Sequence, residues 1–347
     1  TARLRRRRTK MSISADVLRS YRSIDEKTVD ELLAQEIKNN NKKIVVLDDD
    51  PTGVQTVHDI SVYTGWDADS LREAFAEENN LFYILTNSRG FTEEQTKEAH
   101  LEIADAVDRA AKEASRDYIF ISRSDSTLRG HYPLETRLLK ECYERNTGVK
   151  LDGEILCPFF KEGGRYTIGN VHYVKYGDEL VPAHETEFAK DKTFGYTAEN
   201  LPDYVEEKTA GEYKAKDVIS ISLEDIRSMD FDKIKSQLMS AKNFNKIIVN
   251  AIDYSDIKVF AVALFRAMNA GKMFMFRTAA ALVKVMGGVS DMPLLTRSDM
   301  IVNETENGGI IVVGSHTAKT TSQLECLKEI ADIEFIELDA NLVRDEE

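Results

Sequence analysis

The stretch from Lys43 to Asp59, KIVVLDDDPTGVQTVHD, constrains the fold more than any other part of the sequence. Its Ile44–Leu47 run is apolar and β-branched, and a Pro-Thr-Gly turn signal follows, which predicts a buried strand. Three carboxylates, Asp48, Asp49 and Asp50, stand at the carboxyl end of this strand, where open α/β sheets bind their ligands. Because three adjacent acids repel one another, we expect them to serve Mg²⁺, a substrate hydroxyl or proton transfer.

Further apolar runs alternate with helical patterns, one of which spans Leu223–Met239. The predicted strands are Leu81–Leu85, Tyr118–Ile121, Glu154–Cys157, Val218–Ile221, Ile247–Asn250 and Met273–Arg277. This alternation predicts an α/β fold with a mostly parallel sheet and flanking helices. Polar or charged residues follow four successive strands, so we expect the functional residues to lie at one edge of the sheet.

Two stretches interrupt the alternation. Residues 158–200 predict an insertion or lid over the sheet edge, with a hairpin at Val171–Val181, and residues 287–308 gain Gly, Pro and Asn and predict a linker. Beyond the linker, the pattern predicts the start of a second α/β domain from three elements: a strand at Ile310–Val313, a helix at Ala318–Glu329 and a strand at Ile333–Leu338. We therefore divide the chain into an extension with a leading helix (1–40), a ligand-binding domain (41–286), the linker (287–308) and a truncated second domain (309–347).

Charge and cysteine usage limit the classes of partner. The net charge of −14 argues against sequence-independent nucleic-acid binding, although residues 1–10 hold five Arg and one Lys. A start at Met11 would make this basic run an extension. No apolar run approaches the roughly 18 residues of a membrane span. Cys142, Cys157 and Cys326 form no CxxC pair and predict free thiols in the cytoplasm.

One interpretation of the acidic cluster is a phosphatase. The D-x-D-x-T pattern that begins at Asp48 resembles the first motif of haloacid-dehalogenase-type phosphatases, in which Asp48 would be the nucleophile and Asp50 the general acid. Thr86, after the second strand, would supply that family's second motif. Asp253 and Asp256 offer only a weak match to its later acidic pair for Mg²⁺.

A second polar segment, SRSDSTLRGHYP, follows the third strand and leads into a helix. Helix amides and guanidinium groups together favour an anionic ligand, either a carboxylate or a phosphate. Arg89, at the end of the neighbouring strand, is expected to converge on the same place. The polar side chains of this segment are Arg123, Asp125, Ser126, Thr127 and Arg129.

A Gly163-Gly164 pair between Lys161 and Arg165 follows the fourth strand. The pair is weak evidence by itself, and its position at the same sheet edge is its main support.

Five segments in this order, LDDDPTG, TNSRG, SRSDSTLRG, CPFFKEGGR and VGSHT, resemble the four-carbon acid sugar kinases over roughly Lys42 to Gln323. The resemblance implies ATP-dependent phosphorylation of threonate, erythronate or 3-oxo-tetronate. It also implies a sugar-acid-binding domain followed by an ATP-binding domain, with the active site between them. This family often has Lys where Arg123 stands, and its later Gly-rich nucleotide loops have no counterpart before Glu347.

The resemblance assigns roles to individual residues. Asp49 and Asp50 would contact a substrate hydroxyl, and one of them would accept its proton. Arg89 and Arg123 would clamp the carboxylate with Arg129 nearby. The remaining substrate positions would be Ser124, Asp125, Ser126 and Thr127, and the ATP contacts, with Mg²⁺ carried by ATP, would be Ser315, His316 and Thr317.

Three hypotheses remain open from the sequence: a sugar-acid kinase, a phosphatase that uses Asp48, and a non-catalytic sugar-acid-binding fragment. We expect no nucleic-acid or membrane partner, no metal site built by the protein itself, and a possible homodimer.

Overall fold

The computed structural model describes residues 12–301, 303, 307–315, 318–339 and 342. The chain forms two compact units that divide between Met292 and Pro293. Among the described helices, none combines the length and the apolar character that crossing a bilayer requires.

Within the described residues, the strands and helices follow the chain order used below. The strands are β1 (Ile13–Ser14), β2 (Lys43–Asp48), β3 (Val62–Tyr63), β4 (Leu81–Leu85), β5 (Tyr118–Arg123), β6 (Gly153–Cys157), β7 (Arg165–Ile168), β8 (Val171–Tyr176), β9 (Glu179–Pro182), β10 (Ile219–Ile221), β11 (Asn245–Val249) and β12 (Phe274–Thr278). The helices are α1 (Glu26–Asn39), α2 (Ala68–Ala76), α3 (Glu93–Glu113), α4 (Leu134–Thr147), α5 (Leu201–Lys208), α6 (Leu223–Arg227), α7 (Phe231–Ser240), α8 (Tyr254–Asn269), α9 (Ala280–Gly287), α10 (Arg297–Met300) and α11 (Ala318–Lys328).

The main sheet has eight strands in the order β10-β11-β6-β12-β5-β2-β4-β3, and its neighbouring strands are parallel. This confirms the predicted α/β fold. After β2 the chain builds β3 and β4 on one side, and it then returns to place β5 on the other side. The β2–β5 boundary is therefore a topological switch point, where an open α/β sheet forms its ligand crevice.

Strand β2 lies inside the sheet, between β5 and β4. All six of its residues are buried. Its Val46 is paired with Tyr83 of β4 and with Ile121 of β5, and these side chains are fully buried. A parallel strand that is covered on both faces needs a continuous apolar run rather than an alternating one. This is why the Ile44–Leu47 run identified the strand from sequence.

The helices pack in two groups, α2–α3–α4 and α1–α7–α8–α9. Helix α3 begins with a capping box formed by Thr92 and Gln95, which pairs amides that would otherwise lack partners at a helix start. The predicted Leu223–Met239 helix is instead two helices, α6 and α7. The break lies at Met229, whose positive φ of 57° is incompatible with a continuous α-helix.

A second sheet, antiparallel, has the order β1-β9-β8-β7. The predicted hairpin at Val171–Val181 is present as β8 and β9, and β7 and β1 extend it on its two sides. Thr167 of β7 also pairs with Ala251, which follows β11. The insertion is thus bound directly to the carboxyl end of the main sheet.

The predicted strands at Ile310–Val313 and Ile333–Leu338 are wrong, because neither segment forms a strand in its described residues. Their side chains are largely exposed, as Ile310 and Ile336 show at 90% and 86%. Two strands and a helix bury too little apolar surface to hold a sheet together. The helix between them is present as α11, and α10 forms one turn inside the predicted linker.

Candidate functional site

Three strands around the switch point end in polar residues that meet at one sheet edge. Thr86 N donates to the carbonyl of Asp48 (2.9 Å), and Arg89 N donates to the carbonyl of Asp49 (3.2 Å). Asp49 N donates to the carbonyl of Arg123 (3.3 Å). Backbone hydrogen bonds therefore connect the loops after β2, β4 and β5, as the sequence predicted.

Asp48 and Arg123 form a buried ion pair at this edge. They are register partners on adjacent parallel strands, so their side chains project from the same face of the sheet. Both are almost fully buried, at 1% and 5% exposed, and Arg123 Nη2 also donates to the carbonyl of Asp50 (2.6 Å). A Cβ atom at Gly53 would lie 2.1 Å from Asp48 Oδ2, so this turn requires glycine. Arg123 thus supports the acidic loop from beneath and is shielded from solvent.

Arg89 binds the other two carboxylates. Its Nε and Nη2 atoms donate to Asp49 Oδ2 (3.1 Å) and Oδ1 (2.7 Å), and its Nη1 atom donates to Asp50 Oδ2 (2.8 Å). Asp49 is 3% exposed, whereas Asp50 is 25% exposed. Burial raises the pKa of the Asp49 carboxyl well above its ordinary value, although the Arg89 charge opposes the shift. Asp50 is therefore the accessible carboxylate of the three.

Arg277 and Glu135 form a second buried ion pair that sequence reasoning missed. Arg277 is the register partner of Ser122 and lies one residue out of phase with the Asp48–Arg123 pair, hence on the opposite face of the sheet. Its Nη1 atom donates to Ser122 Oγ (3.3 Å) and its Nη2 atom to the carbonyl of Arg129 (3.1 Å). Glu135 accepts from Ser88 Oγ (3.1 Å). For Arg277 the signal available in sequence was a lone charge inside the apolar strand β12; Glu135 lies in a helix with other charged residues and gave no such signal.

The SDSTLRG loop folds around Asp125. Arg129 donates through Nε (2.8 Å) and Nη2 (3.2 Å) to the two carboxylate oxygens of Asp125, and Thr127 Oγ1 donates to Oδ2. Burial raises the pKa of Asp125, but the Arg129 hydrogen bond and charge outweigh it and lower the pKa to about 2. Gly130 has φ +112°, and a Cβ there would lie 2.7 Å from Arg277 Nη2.

The insertion holds this loop from the outside. His172 Nε2 lies 2.7 Å from the carbonyl of Ser126, and burial lowers the pKa of His172 to about 4, so the neutral ring donates this hydrogen bond. Tyr196 and Tyr204 donate to the carbonyls of Thr127 (3.3 Å) and Leu128 (3.0 Å). His172 and Tyr196 of the predicted insertion, with Tyr204 of α5 just after it, therefore fix the loop, a role that sequence reasoning missed. Ser124, a further predicted substrate residue, is buried, and its amide donates to the carbonyl of Thr278 (2.8 Å).

The chain matches the model of the family described as "Sugar-binding N-terminal domain" over residues 44–286. It belongs to this family.

Two solved structures align with this chain, and the first of them, at a TM-score above 0.5, has a similar fold. A domain of unknown function (DUF1537) from Bordetella bronchiseptica, a domain-swapped dimer with bound citrate, aligns with a TM-score of 0.51 at 18% identity, over 70% of this chain and 55% of that one. A Haemophilus influenzae protein of the DUF1537 family aligns with a TM-score of 0.46 at 17% identity, over 87% of this chain and 68% of that one. The chain thus spans about half the length of the Bordetella protein. No curated protein matches it.

Of the residues expected for a phosphatase, Asp48, Asp50 and Thr86 lie together at the ends of β2 and β4, but the later acidic pair does not join them. Asp48 is buried against Arg123 and is 1% exposed, which leaves its carboxylate little contact with solvent. Asp256 accepts from the amides of Ile252 and Asp253 (both 2.9 Å) and pairs with Arg227. These residues follow β11, which is four strands away from β2, or roughly 19 Å at the usual strand spacing. They cap α8 instead of completing the acidic cluster.

The Gly163-Gly164 turn separates its two cations. Lys161 pairs with Asp253 (2.8 Å) at the start of α8. Arg165 points the other way, towards Phe188, with its Cζ atom 5.4 Å from the ring centroid.

The three predicted ATP contacts lie after Met292. Ser315 is exposed, and its Oγ accepts a hydrogen bond from Thr320 Oγ1 (2.9 Å). His316 and Thr317 lie outside the described residues. One exposed hydroxyl does not make a nucleotide site, so the ATP prediction stays a prediction. In the described part of the chain, no group of three or more His, Cys, Asp or Glu side chains could hold a metal ion.

Proposed function

We propose that the chain is the sugar-acid-binding part of an ATP-dependent kinase for a four-carbon acid such as threonate, erythronate or 3-oxo-tetronate. One observation carries this proposal. The partly exposed Asp50 carboxylate stands at the switch point of the sheet and is held there by Arg89. A fixed carboxylate at this position accepts a hydrogen bond from a ligand hydroxyl.

Asp50 is oriented from two sides for this contact. Its Oδ1 atom accepts from Thr52 N (2.8 Å), and its Oδ2 atom accepts from Arg89 Nη1 (2.8 Å). These contacts leave a quarter of the side chain exposed. We propose that Asp50 binds the substrate hydroxyl and accepts its proton, and that Asp49 holds Arg89 in place.

For the carboxylate of the ligand, we propose Arg129 in place of Arg89 and Arg123, the clamp that the resemblance implied. Arg123 is buried and Arg89 is engaged by two aspartates. Arg129 is 27% exposed and, among the described residues, forms an ion pair with one carboxylate, that of Asp125. We therefore assign the anionic end of the ligand to the Arg129 side of the site. The citrate in the Bordetella structure makes hydroxy acids the first ligands to test.

ATP with Mg²⁺ would supply the phosphoryl group, and the described residues of this chain would bind and orient the acceptor. Sugar-acid binding without catalysis is the second candidate, because the family description names sugar binding. A phosphatase is not proposed, given the burial of Asp48. Among the other expectations, we retain a cytoplasmic location, and a homodimer that light scattering can test.

A ligand screen tests the proposal. The three acids are titrated calorimetrically into the 347-residue chain, and each is incubated with and without MgATP before mass spectrometry. Asp50→Asn removes a charged hydrogen-bond acceptor worth about 1.5–3 kcal/mol, so we expect at least one acid to bind wild type about 10- to 100-fold more tightly than the variant. Asp69→Asn, at an exposed helix start, is the matched control.

Each outcome has one interpretation. Acid binding with a phosphorylated product supports the kinase, and acid binding without a product supports the non-catalytic candidate. If no acid binds, or if Asp50→Asn binds as tightly as wild type, the proposed site is wrong.

A further inference from the structure

Among the described residues, no carboxylate forms an ion pair with the Arg165 guanidinium. Its guanidinium is half-buried, and its Nε atom is buried without a hydrogen-bond partner there. Its Nη1 atom donates to the carbonyl of Gly163. Burial lowers the pKa of this guanidinium, since removing a charge from water is unfavourable without a counter-charge.

A second guanidinium lies against the same aromatic ring. The Cζ atoms of Arg129 and Arg165 lie 5.1 Å and 5.4 Å from the centroid of Phe188. Arg129 pairs with Asp125 at 2.8 Å. Glu187 is near Arg165 but exposed, and it accepts instead from Tyr176 OH (3.0 Å). Of the two guanidiniums, Arg129 is paired with a carboxylate, whereas no described carboxylate forms an ion pair with Arg165, although Asp125 and Glu187 act on it from a distance.

The backbone fixes Arg165 in this place. Arg165 N donates to the carbonyl of Phe160 (2.8 Å), and Phe160 N donates to the carbonyl of Arg165 (3.0 Å). Gly164, at φ +71°, completes the turn between them. A side chain held on a rigid turn loses little conformational entropy when it binds a ligand, which suits a recognition residue.

We propose that Arg165, together with Arg129, binds the carboxylate of the sugar acid and makes the site selective for acids over neutral sugars. This inference rests on the proposed function and deepens it. The Arg165 guanidinium, which forms no ion pair with a described carboxylate, attracts an anion, whereas Asp50 accepts hydroxyl groups. A planar guanidinium matches a carboxylate with two parallel hydrogen bonds.

The test compares the best-binding acid with its own amide, which has nearly the same shape but no charge. Calorimetry gives both dissociation constants for wild type, Arg165→Met and Lys161→Met. We expect wild type to prefer the acid by at least about 10-fold, and Arg165→Met to lose about 10- to 100-fold in acid affinity with little change for the amide, in keeping with one charged hydrogen-bond pair. Lys161→Met, in the same turn but paired with Asp253, should behave as wild type.

The ratio of the two affinities separates recognition from support. If Arg165→Met weakens the binding of acid and amide equally, or changes neither affinity, Arg165 does not recognise the carboxylate. The inference then fails, while the proposed function stands. If wild type binds no four-carbon acid, the proposed function fails as well. If Arg165→Met does not fold, Arg165→Lys is measured instead, because it keeps the charge. We expect Arg165→Lys to retain the preference for the acid over the amide, with weaker acid binding than wild type. An unchanged acid affinity in Arg165→Lys would refute the role of the guanidinium fork.

Discussion

Replacing Arg123 with methionine separates two roles for this side chain, a ligand contact and a buried structural counter-ion. A ligand contact at the surface would lose affinity and little stability. The structure places Arg123 at 5% exposure against Asp48 at 1%. We therefore expect Arg123→Met to lower the free energy of unfolding, because it leaves Asp48 buried without a counter-charge.

The size of the effect follows from these contacts. Two unit charges about 4 Å apart interact by about 4 kcal/mol at an effective dielectric constant of 20, and removing one partner of a buried pair costs about 3–5 kcal/mol. The carbonyl of Asp50 also loses its 2.6 Å donor. Because these losses overlap, we expect about 4 kcal/mol in total, or a fall in melting temperature of about 10 °C.

Urea unfolding followed by the fluorescence of Trp66, the single tryptophan of the chain, measures this difference. Arg72→Met is the matched control, since Arg72 pairs with Asp69 at the surface and is 60% exposed, where such pairs contribute less than about 1 kcal/mol. The double variant Asp48→Leu/Arg123→Met should recover much of the loss, because both charges are then absent. If Arg123→Met unfolds within 1 kcal/mol of wild type, the buried pair is not a structural element.

Two further predictions follow from the same region. Gly53→Ala should lose about 1–3 kcal/mol of stability through overpacking and weaken acid binding, since its new Cβ would lie 2.1 Å from Asp48 Oδ2 and 2.3 Å from Arg123 Nε; an unchanged urea midpoint would show that the turn can relax. His172 has a pKa lowered to about 4 by burial, so its contribution to stability is present above its ordinary pKa of about 6.5 and is lost as the pH falls towards 4, a change of about 3 kcal/mol. His172→Gln should flatten that part of the stability profile, and an identical profile in the variant would assign the acid sensitivity to other groups.

Local sequence patterns were sufficient to predict most strands of the main sheet. The Leu81–Leu85 strand was predicted with its observed bounds, and other strands were predicted within about two residues. Strands that are covered on both faces carry an apolar signal that does not depend on their neighbours. Where pairing partners decide the outcome, as at Ile310–Val313, an apolar run was not enough.

The sequence by itself determined that polar loops follow the strands of a parallel sheet, and therefore that Asp48–Asp50, Arg89 and the SDSTLRG segment would meet. Only the tertiary structure decided what each side chain does there. Strand register turned Asp48 and Arg123 into a buried pair, and it placed Arg277 and Glu135 beneath the opposite face. Burial left Asp50 as the accessible acid. Register and burial arise from contacts between residues far apart in the chain, and no local pattern encodes which of several adjacent charges remains in contact with solvent.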